Sequence, residues 1–441
     1  MNQIGGMRGF VVLWLGQLVS LLGTAMSRFA LTIWAYETTG SVTALALVGF
    51  FSFGPTVLLS PIAGALVDRW DRKKIMIATD LVAGLMSTTI LVLLYTDNLE
   101  LWHLYVAGAI TGAFESFQFP AFSAAITMMV PKEQYARASG MQSLADAATQ
   151  IAAPLLAGIL LVVIKIEGVL LIDVVTFLVA VGSLLFILVP RPAGSQEGQA
   201  VHGSLWQESL FGFRYIWNRP SLLGMQLVFF GINFTFIFSV VLLPPLILSL
   251  VENGEVILGT VQSATGFGAL VGALLLTAWG GPARKVHGVL LGMILGGLLG
   301  QTMLGLGTGV LWWSVCGFFM MFFSPLLNGS NQAIWQAKVP PDLQGRVFSV
   351  RRLIAQITGP VAMLLAGPLA DRLFEPAMMP GGMLADSFGF MVGTGPGAGI
   401  RLIFVLTGLL SVFIGMAGYA FPAVREIEER LPDHTPEATA V

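Results

Sequence analysis

Apolar residues run along this chain in long blocks separated by short polar breaks. A block of about 20 such residues, wound into a helix, matches the hydrocarbon thickness of a bilayer. The pattern predicts twelve membrane spans, at residues 9–36, 42–67, 74–96, 101–128, 135–164, 168–190, 221–250, 256–280, 286–308, 310–336, 346–372 and 399–423. Several exceed the minimum length, which implies tilt or ends that project from the membrane. The expected fold is an all-α membrane protein of twelve transmembrane helices in two six-helix halves.

The longest polar interruption, 191–219, divides the spans six and six. It begins Pro190-Arg191-Pro192 and continues Ala193-Gly194-Ser195-Gln196-Glu197-Gly198, a flexible linker composition. Leu205, Trp206, Leu210, Phe213, Ile216 and Trp217 then fall on one helical face, with Glu208 and Arg214 elsewhere, as in an interfacial amphipathic helix. The expected organisation is a bundle at 1–190, a linker with this helix at 191–220, a second bundle at 221–424 and a tail at 425–441.

The halves repeat. Val130-Pro131-Lys132-Glu133 to Leu155-Leu156-Ala157-Gly158 aligns without gaps onto Val339-Pro340-Pro341-Asp342 to Leu364-Leu365-Ala366-Gly367. Arg137 falls on Arg346 and Thr149 on Thr358. Parallel six-helix repeats about an axis normal to the membrane are a transporter architecture.

Composition narrows the reading. Of 441 residues, 56% are hydrophobic and only 10% charged, too few to cover a soluble protein of this size. Basic residues set the orientation. With the N-terminus inside, Arg8, Arg69, Arg72, Lys73, Lys74, Lys132, Arg137 and most later ones fall on the cytoplasmic side. Only Lys165, Arg372 and Arg401 fall outside, and both termini come out cytoplasmic. Met1 to Phe10 does not read as a cleavable signal, because the apolar stretch after it is too long. The lone Cys316 excludes an internal disulfide. The net charge of −2 argues against a nucleic-acid partner. The four histidines are scattered and no phosphate-cradling glycine loop occurs, so neither a metal, a cofactor, an ATPase nor an enzyme is expected.

The charge cluster between the second and third spans reads Gly64-Ala65-Leu66-Val67-Asp68-Arg69-Trp70-Asp71-Arg72-Lys73-Lys74. It resembles the motif that major facilitator superfamily transporters carry there, with Asp71 where many have glycine. Phe119-Pro120-Ala121-Phe122, Val130-Pro131-Lys132-Glu133-Gln134 and Leu343-Gln344-Gly345-Arg346-Val347-Phe348-Ser349 resemble the macrolide-efflux and enterobactin-exporter-like branch. The resemblance implies the two-halved major facilitator fold and secondary active transport by rocking of the halves. It also implies a cytoplasmic gate in which Asp68 faces the start of the eleventh span near Gly345 and Arg346. Gly64, Arg69, Arg72 and Lys73 match the rest of that motif. Exposed N–H groups at a helix start attract a carboxylate. Many proton-coupled drug exporters carry an arginine in the fourth span, and this chain has none there, Thr111 being neutral.

Ionisable groups inside spans are costly and point to function. Arg28, Glu115 and Asp146 stand out as candidates for proton coupling or substrate contact, in spans one, four and five. Glu115 could exchange a proton, with Arg28 holding its charge in one state and leaving it in another; a static ion pair is the alternative. Asp80 and Asp173 read as structural. Arg351 and Arg352 could attract an anion or merely snorkel. In the second half, the amides Asn233, Gln262, Asn328, Gln332 and Gln356 need partners in neighbouring helices or cavity water. They are candidate cavity residues, with Phe117 and Phe234 as apolar wall. Gly292, Gly296 and Gly300 form a small-residue packing stripe on span nine. Gly367-Pro368-Leu369-Ala370-Asp371-Arg372 mimics the opening signature but falls on the outer side, and 374–398 reads as a long outer loop.

Together these features lead to proton-coupled efflux of amphiphilic small molecules, of drug or siderophore type, from a bacterial plasma membrane. The expected partners are substrate, protons and the lipid bilayer, and the chain is expected to be a monomer. Uptake of lysophospholipid or nutrient, and a non-transporting scaffold or sensor, remain the alternatives. The orientation is directly testable. A cysteine at Lys74 is expected to escape an impermeant thiol reagent in intact cells, while one at Pro380 is labelled; labelling at Lys74 overturns the topology.

Overall fold

A computed structural model describes residues 6–131, 134–187, 212–252 and 254–432. The described chain is helical almost throughout. The first helices are α1 (Gly6–Thr39), α2 (Val42–Arg69), α3 (Arg72–Tyr95), α4 (Leu101–Met129) and α5 (Tyr135–Phe186). Then come α6 (Pro220–Leu250), α7 (Glu255–Trp279) and α8 (Lys285–Leu295), which continues through a π-helical turn (Gly296–Thr302) into α9 (Met303–Leu306). The last are α10 (Val310–Phe322), α11 (Ser324–Lys338), α12 (Pro341–Leu369), a second π turn (Ala370–Phe374), α13 (Glu375–Met378), α14 (Ala385–Val392), α15 (Ala398–Ala420), α16 (Pro422–Arg425) and α17 (Ile427–Arg430).

Ten helical segments among the described residues are long and apolar enough to cross a membrane. One of them, Leu144–Phe186, runs through two expected spans. It changes direction at Lys165, whose φ of 56° is foreign to a helix and unusual for a side chain of this kind. Counting both sides of that kink, and α4, the architecture is compatible with twelve spans.

Helix starts are written locally. Ser41 caps α2 by accepting from the Ala44 N–H. Asp71 caps α3 by accepting from the N–H groups of Lys73 and Lys74, which gives the aspartate in the signature a local purpose. Such a cap stabilises a helix by about 1 kcal/mol. The internal repeat also survives in the backbone. Val130 and Val339 both end their helices in extended conformation. Thr149 and Thr358 both donate to the carbonyl three residues back, at 2.9 and 2.6 Å.

The chain forms two compact units. One comprises Met1–Gly194, Val241–Ser263 and Met363–Arg372. Within it α1 packs along α5 and α2 along α4. Gly112 makes the α2–α4 approach possible, since a Cβ there would lie 2.0 Å from the Ser52 carbonyl oxygen. Close backbone approach through small residues is how membrane helices gain packing energy without a hydrophobic drive between them.

The other unit comprises Ser195–Val240, Ala264–Ala362 and Leu373–Val441. Its core gathers Leu222, Met225, Val289, Leu290, Trp335 and Ile427, all fully buried. The described part of the tail docks onto this core. Glu428 accepts from the N–H groups of Lys285 and Val286, both at 3.0 Å, and so caps α8. Lys338 Nζ donates to the carbonyls of Glu428 and Leu431.

Two expectations change here. Leu205, Trp206, Glu208 and Leu210 lie outside the described residues. In the described remainder of that predicted helix, Ile216 is buried with Tyr215 in the core, while Trp217 is 73% exposed, so the stretch splits between core and surface. The stretch 374–398 is not a loose loop. It folds as α13 and α14 around Met378 and Val392. Glu375 caps α15 through the N–H groups of Gly397 and Ile400, and Arg401 donates to the carbonyls of Gly305, Leu306 and Val392.

Candidate functional site

Two polar regions, one in each unit, gather most of the candidate residues. In the first unit, Arg28 stands about three turns before the end of α1 and Glu115 near the middle of α4. Arg28 Nη2 donates to Glu115 Oε2 at 2.7 Å. Their side chains are 55% and 46% exposed, so the pair faces an accessible surface of its unit. A solvated ion pair contributes roughly 0–1 kcal/mol, whereas an unpaired charge at the centre of a membrane helix costs about 3 kcal/mol. The pair is therefore a weak packing device. What each partner gains is a counter-charge at a depth where it needs one. Asp146 stays apart from them: it is exposed on α5, with Gln142 Nε2 at 3.4 Å.

Two other carboxylates are held by neutral donors. Asp80 accepts from Gln17 Nε2 at 2.8 Å and from Gln118 Nε2 at 3.1 Å, and Gln118 in turn accepts from Thr79. Asp173, only 2% exposed, accepts from Thr24 at 3.0 Å and Ser87 at 2.8 Å. It thus ties α1 and α3 to the far part of α5 as a packing group, in keeping with the structural reading of both residues.

At the signature, the side chains of Asp68 and Arg69 and the surroundings of Gly64 lie outside the described residues, as does the side chain of Arg346. Lys73 Nζ donates to the Ile187 carbonyl at 2.6 Å, and Arg72 is half-buried beside it in sequence. Trp70 stacks on Phe117 at 6.5 Å, which occupies one face of that aromatic.

In the second unit, Asn233 on α6 and Asn328 on α11 line one cavity of about 160 Å³. Gln262, Gln332, Gln356 and Phe234 are not in its lining. Phe234 packs on Phe238 at 5.1 Å. Gln332 accepts from Arg351 Nη1 at 2.8 Å, and that guanidinium also lies over the rings of Trp335, Phe229 and Phe348. Arg351 is thus held by one amide and a ring of aromatics on its own unit. Sequence reasoning passed over Gln301, which lines the cavity from the π turn, and assigned no partner to Asp371, which binds the start of α2. Among the described residues no cluster of His, Cys, Asp and Glu could hold a metal ion.

Helices long enough to cross a bilayer, polar groups inside them and a repeated half define a multi-pass membrane transporter. The sequence model of the Major Facilitator Superfamily matches residues 13–363. The chain belongs to that family, whose members are transporters. It is 27% identical to macrolide efflux protein A of Streptococcus pyogenes over 368 residues, covering 82% of this chain and 90% of that protein. It is 23% identical to the multidrug efflux pump Tap of Mycolicibacterium fortuitum over 403 residues, covering 88% and 90%. In fold it is similar to a bacterial homologue of the human lysosomal transporter Spinster, with a TM-score of 0.72 and 15% identity over 98% of this chain and all of that one.

The Asp173 cluster yields a stability prediction. Asp173→Ala leaves the Thr24 and Ser87 hydroxyls without their acceptor, and is expected to destabilise the protein by about 1–3 kcal/mol. Thermal unfolding of the purified protein measures this, and an unchanged midpoint removes Asp173 from the packing scheme.

Proposed function

We propose that this chain exports amphiphilic or hydrophobic small molecules across a bacterial plasma membrane by alternating access, coupled to proton entry. Both termini face the cytoplasm, and the monomer is the working unit. The observation that carries the reading is the Arg28–Glu115 pair, joined at 2.7 Å yet half open on each side. A carboxylate that keeps contact with solvent while bound to one cation can exchange a proton when that contact changes between states. Its efflux-type relatives support the direction of transport. The aromatic and methionine side chains around Asn233 and Asn328 support a substrate with a large apolar part.

The test uses protein in proteoliposomes with an imposed pH gradient and erythromycin or ethidium as cargo. Glu115→Gln keeps the shape and removes the titrating group. It is expected to reduce gradient-driven flux to the passive level while binding survives, and Arg28→Ala is expected to impair the cycle too. A static pair behaves differently. There each single change destabilises the fold, and Glu115→Gln combined with Arg28→Gln restores both folding and flux; that rescue moves the proton site elsewhere, with Asp146 next in line.

A further inference from the structure

The cavity of the second unit has features that its lining amides alone do not explain. Between α8 and α9 the helix widens into the π turn Gly296–Thr302, where Thr302 Oγ1 donates to the Gly297 carbonyl at 2.9 Å. Such turns are rare and cluster at functional sites. This one carries Gln301 into the cavity wall. The side chain is 4% exposed and its Oε1 has no hydrogen-bond partner. An unmet buried oxygen is a standing cost to folding, and its retention calls for a donor that the protein does not supply.

The neighbouring amides point the same way. Asn233 Nδ2 donates to the Phe229 carbonyl at 2.8 Å and Asn328 Nδ2 to the Ser324 carbonyl at 2.9 Å. Only an amide nitrogen can donate to a carbonyl, so these bonds fix which end is the oxygen. Asn328 Nδ2 also donates to Ser324 Oγ at 3.0 Å, so both hydrogens of that amide are taken within its own helix, and the Gln301 oxygen is the lining acceptor left without a donor. No charged residue lines the cavity, so an ionised guest would be left unpaired. The apolar wall is Phe229, Phe236, Met293, Met320 and Met321, soft and adaptable. The volume of about 160 Å³ is close to the ~150 Å³ of an engineered cavity that accepts benzene. Gly296 also lines the space, and a Cβ there would fit, in ordinary contact with the Met320 carbonyl oxygen at 3.7 Å, so a larger side chain can be placed into it.

We propose that this cavity is a binding pocket for a ring-sized apolar group carrying one neutral hydrogen-bond donor, of phenol or aniline type, with the donor directed at Gln301 Oε1. It rests on the transporter reading only for its purpose, as the subsite that selects one end of an amphiphile. The test is photolabelling of the purified full-length protein with 4-azidophenol and with phenyl azide, followed by peptide mapping. The phenol is expected to label the α10 segment bearing Met320 and Met321, and phenol but not toluene to compete. Gln301→Leu is expected to lower phenol labelling roughly tenfold, to the phenyl azide level, while raising the unfolding temperature because the unmet oxygen is gone. Gly296→Leu fills the space and is expected to abolish labelling by both. Equal labelling of wild type and Gln301→Leu, or labelling confined to other helices, overturns the pocket. Erythromycin flux without such labelling sinks the pocket and leaves the transporter reading standing; labelling without flux does the reverse.

An independent observation concerns Asp371. Its Oδ2 accepts from Ser41 Oγ at 2.7 Å and from the Thr43 N–H at 2.8 Å, and its Oδ1 from the Val42 N–H at 3.0 Å. Thus a carboxylate from the end of the second repeat caps the start of α2. Gly367, one turn earlier, allows the approach, since a Cβ there would lie 2.4 Å from Thr43 Cα. The spacing Gly367-x-x-x-Asp371-Arg372 is that of Gly64-x-x-x-Asp68-Arg69, at the opposite end of α2. In the first repeat the position matching Asp371 is Val162, so the carboxylate is present once. The geometry points to a latch at that end, engaged in this structure and released in each transport cycle. The test places a reporter cysteine at Phe114 in a Cys316→Ser background. Asp371→Asn is expected to raise labelling by an external impermeant reagent several-fold, and Asp68→Asn to lower it. Unchanged labelling in well-folded Asp371→Asn reduces the contact to a helix cap.

Discussion

A carboxylate placed inside a membrane bundle must find its partner within the protein, because hydrocarbon supplies none. The architecture follows from how each acidic group meets that demand. Asp173 takes two hydroxyls and Asp80 two amides, drawn from different helices. Asp371 takes two backbone N–H groups and a serine. Glu115 alone among these takes a guanidinium and stays half exposed. Neutral donors fixed by packing hold a carboxylate in one geometry. A single long arginine on an accessible surface does not, and this contrast separates the framework groups from the group proposed above to take part in the cycle.

Helix packing obeys a related limit. Helices in lipid gain nothing from hiding apolar side chains, so they gain from close approach. Gly112 against Ser52 and Gly367 against Thr43 are contacts of this kind, made where any Cβ would collide. At Gly296 the same residue type has the opposite result. There a Cβ would fit, in ordinary contact with the Met320 carbonyl oxygen at 3.7 Å, and the residue lines the cavity. A glycine stripe read from sequence as Gly292, Gly296 and Gly300 therefore mixes two roles. Gly300 is pressed against Met320 while Gly296 is not.

The spans, the repeat and the signature were legible because each is a one-dimensional pattern: block length, offset and charge density. The Arg28–Glu115 pair was legible because two opposite charges at similar depth in a membrane have few other partners. Asn233 and Asn328 line a cavity of the second unit, though Gln262, Gln332 and Gln356 looked identical to them in sequence. What separates them is which helices surround the cavity, α7 and α12 contributing nothing to it, and for Gln332 the company of Arg351; neither is written in composition. The folded stretch around α13 and α14 was hidden by its glycines and prolines, which suggest a loop until Glu375 and Arg401 are seen to cap the helix ends around it.

Asp371 and Gln301 were missed for different reasons, and the difference is instructive. Asp371 sat in a motif seen in sequence and set aside because topology put it at the opposite end from the expected cytoplasmic gate. Yet a helix start attracts a carboxylate wherever it lies, and Asp371 meets that of α2. Gln301 had no motif at all. Its position depends on a π turn, a local change of helical register that shifts every later side chain around the axis. A strict α-helical projection of span nine places the residues after Gly296 on the wrong face. The chemistry of the cavity thus arises from a backbone irregularity, and the irregularity is tolerated because glycines supply the freedom and α15 and α10 supply the packing around it.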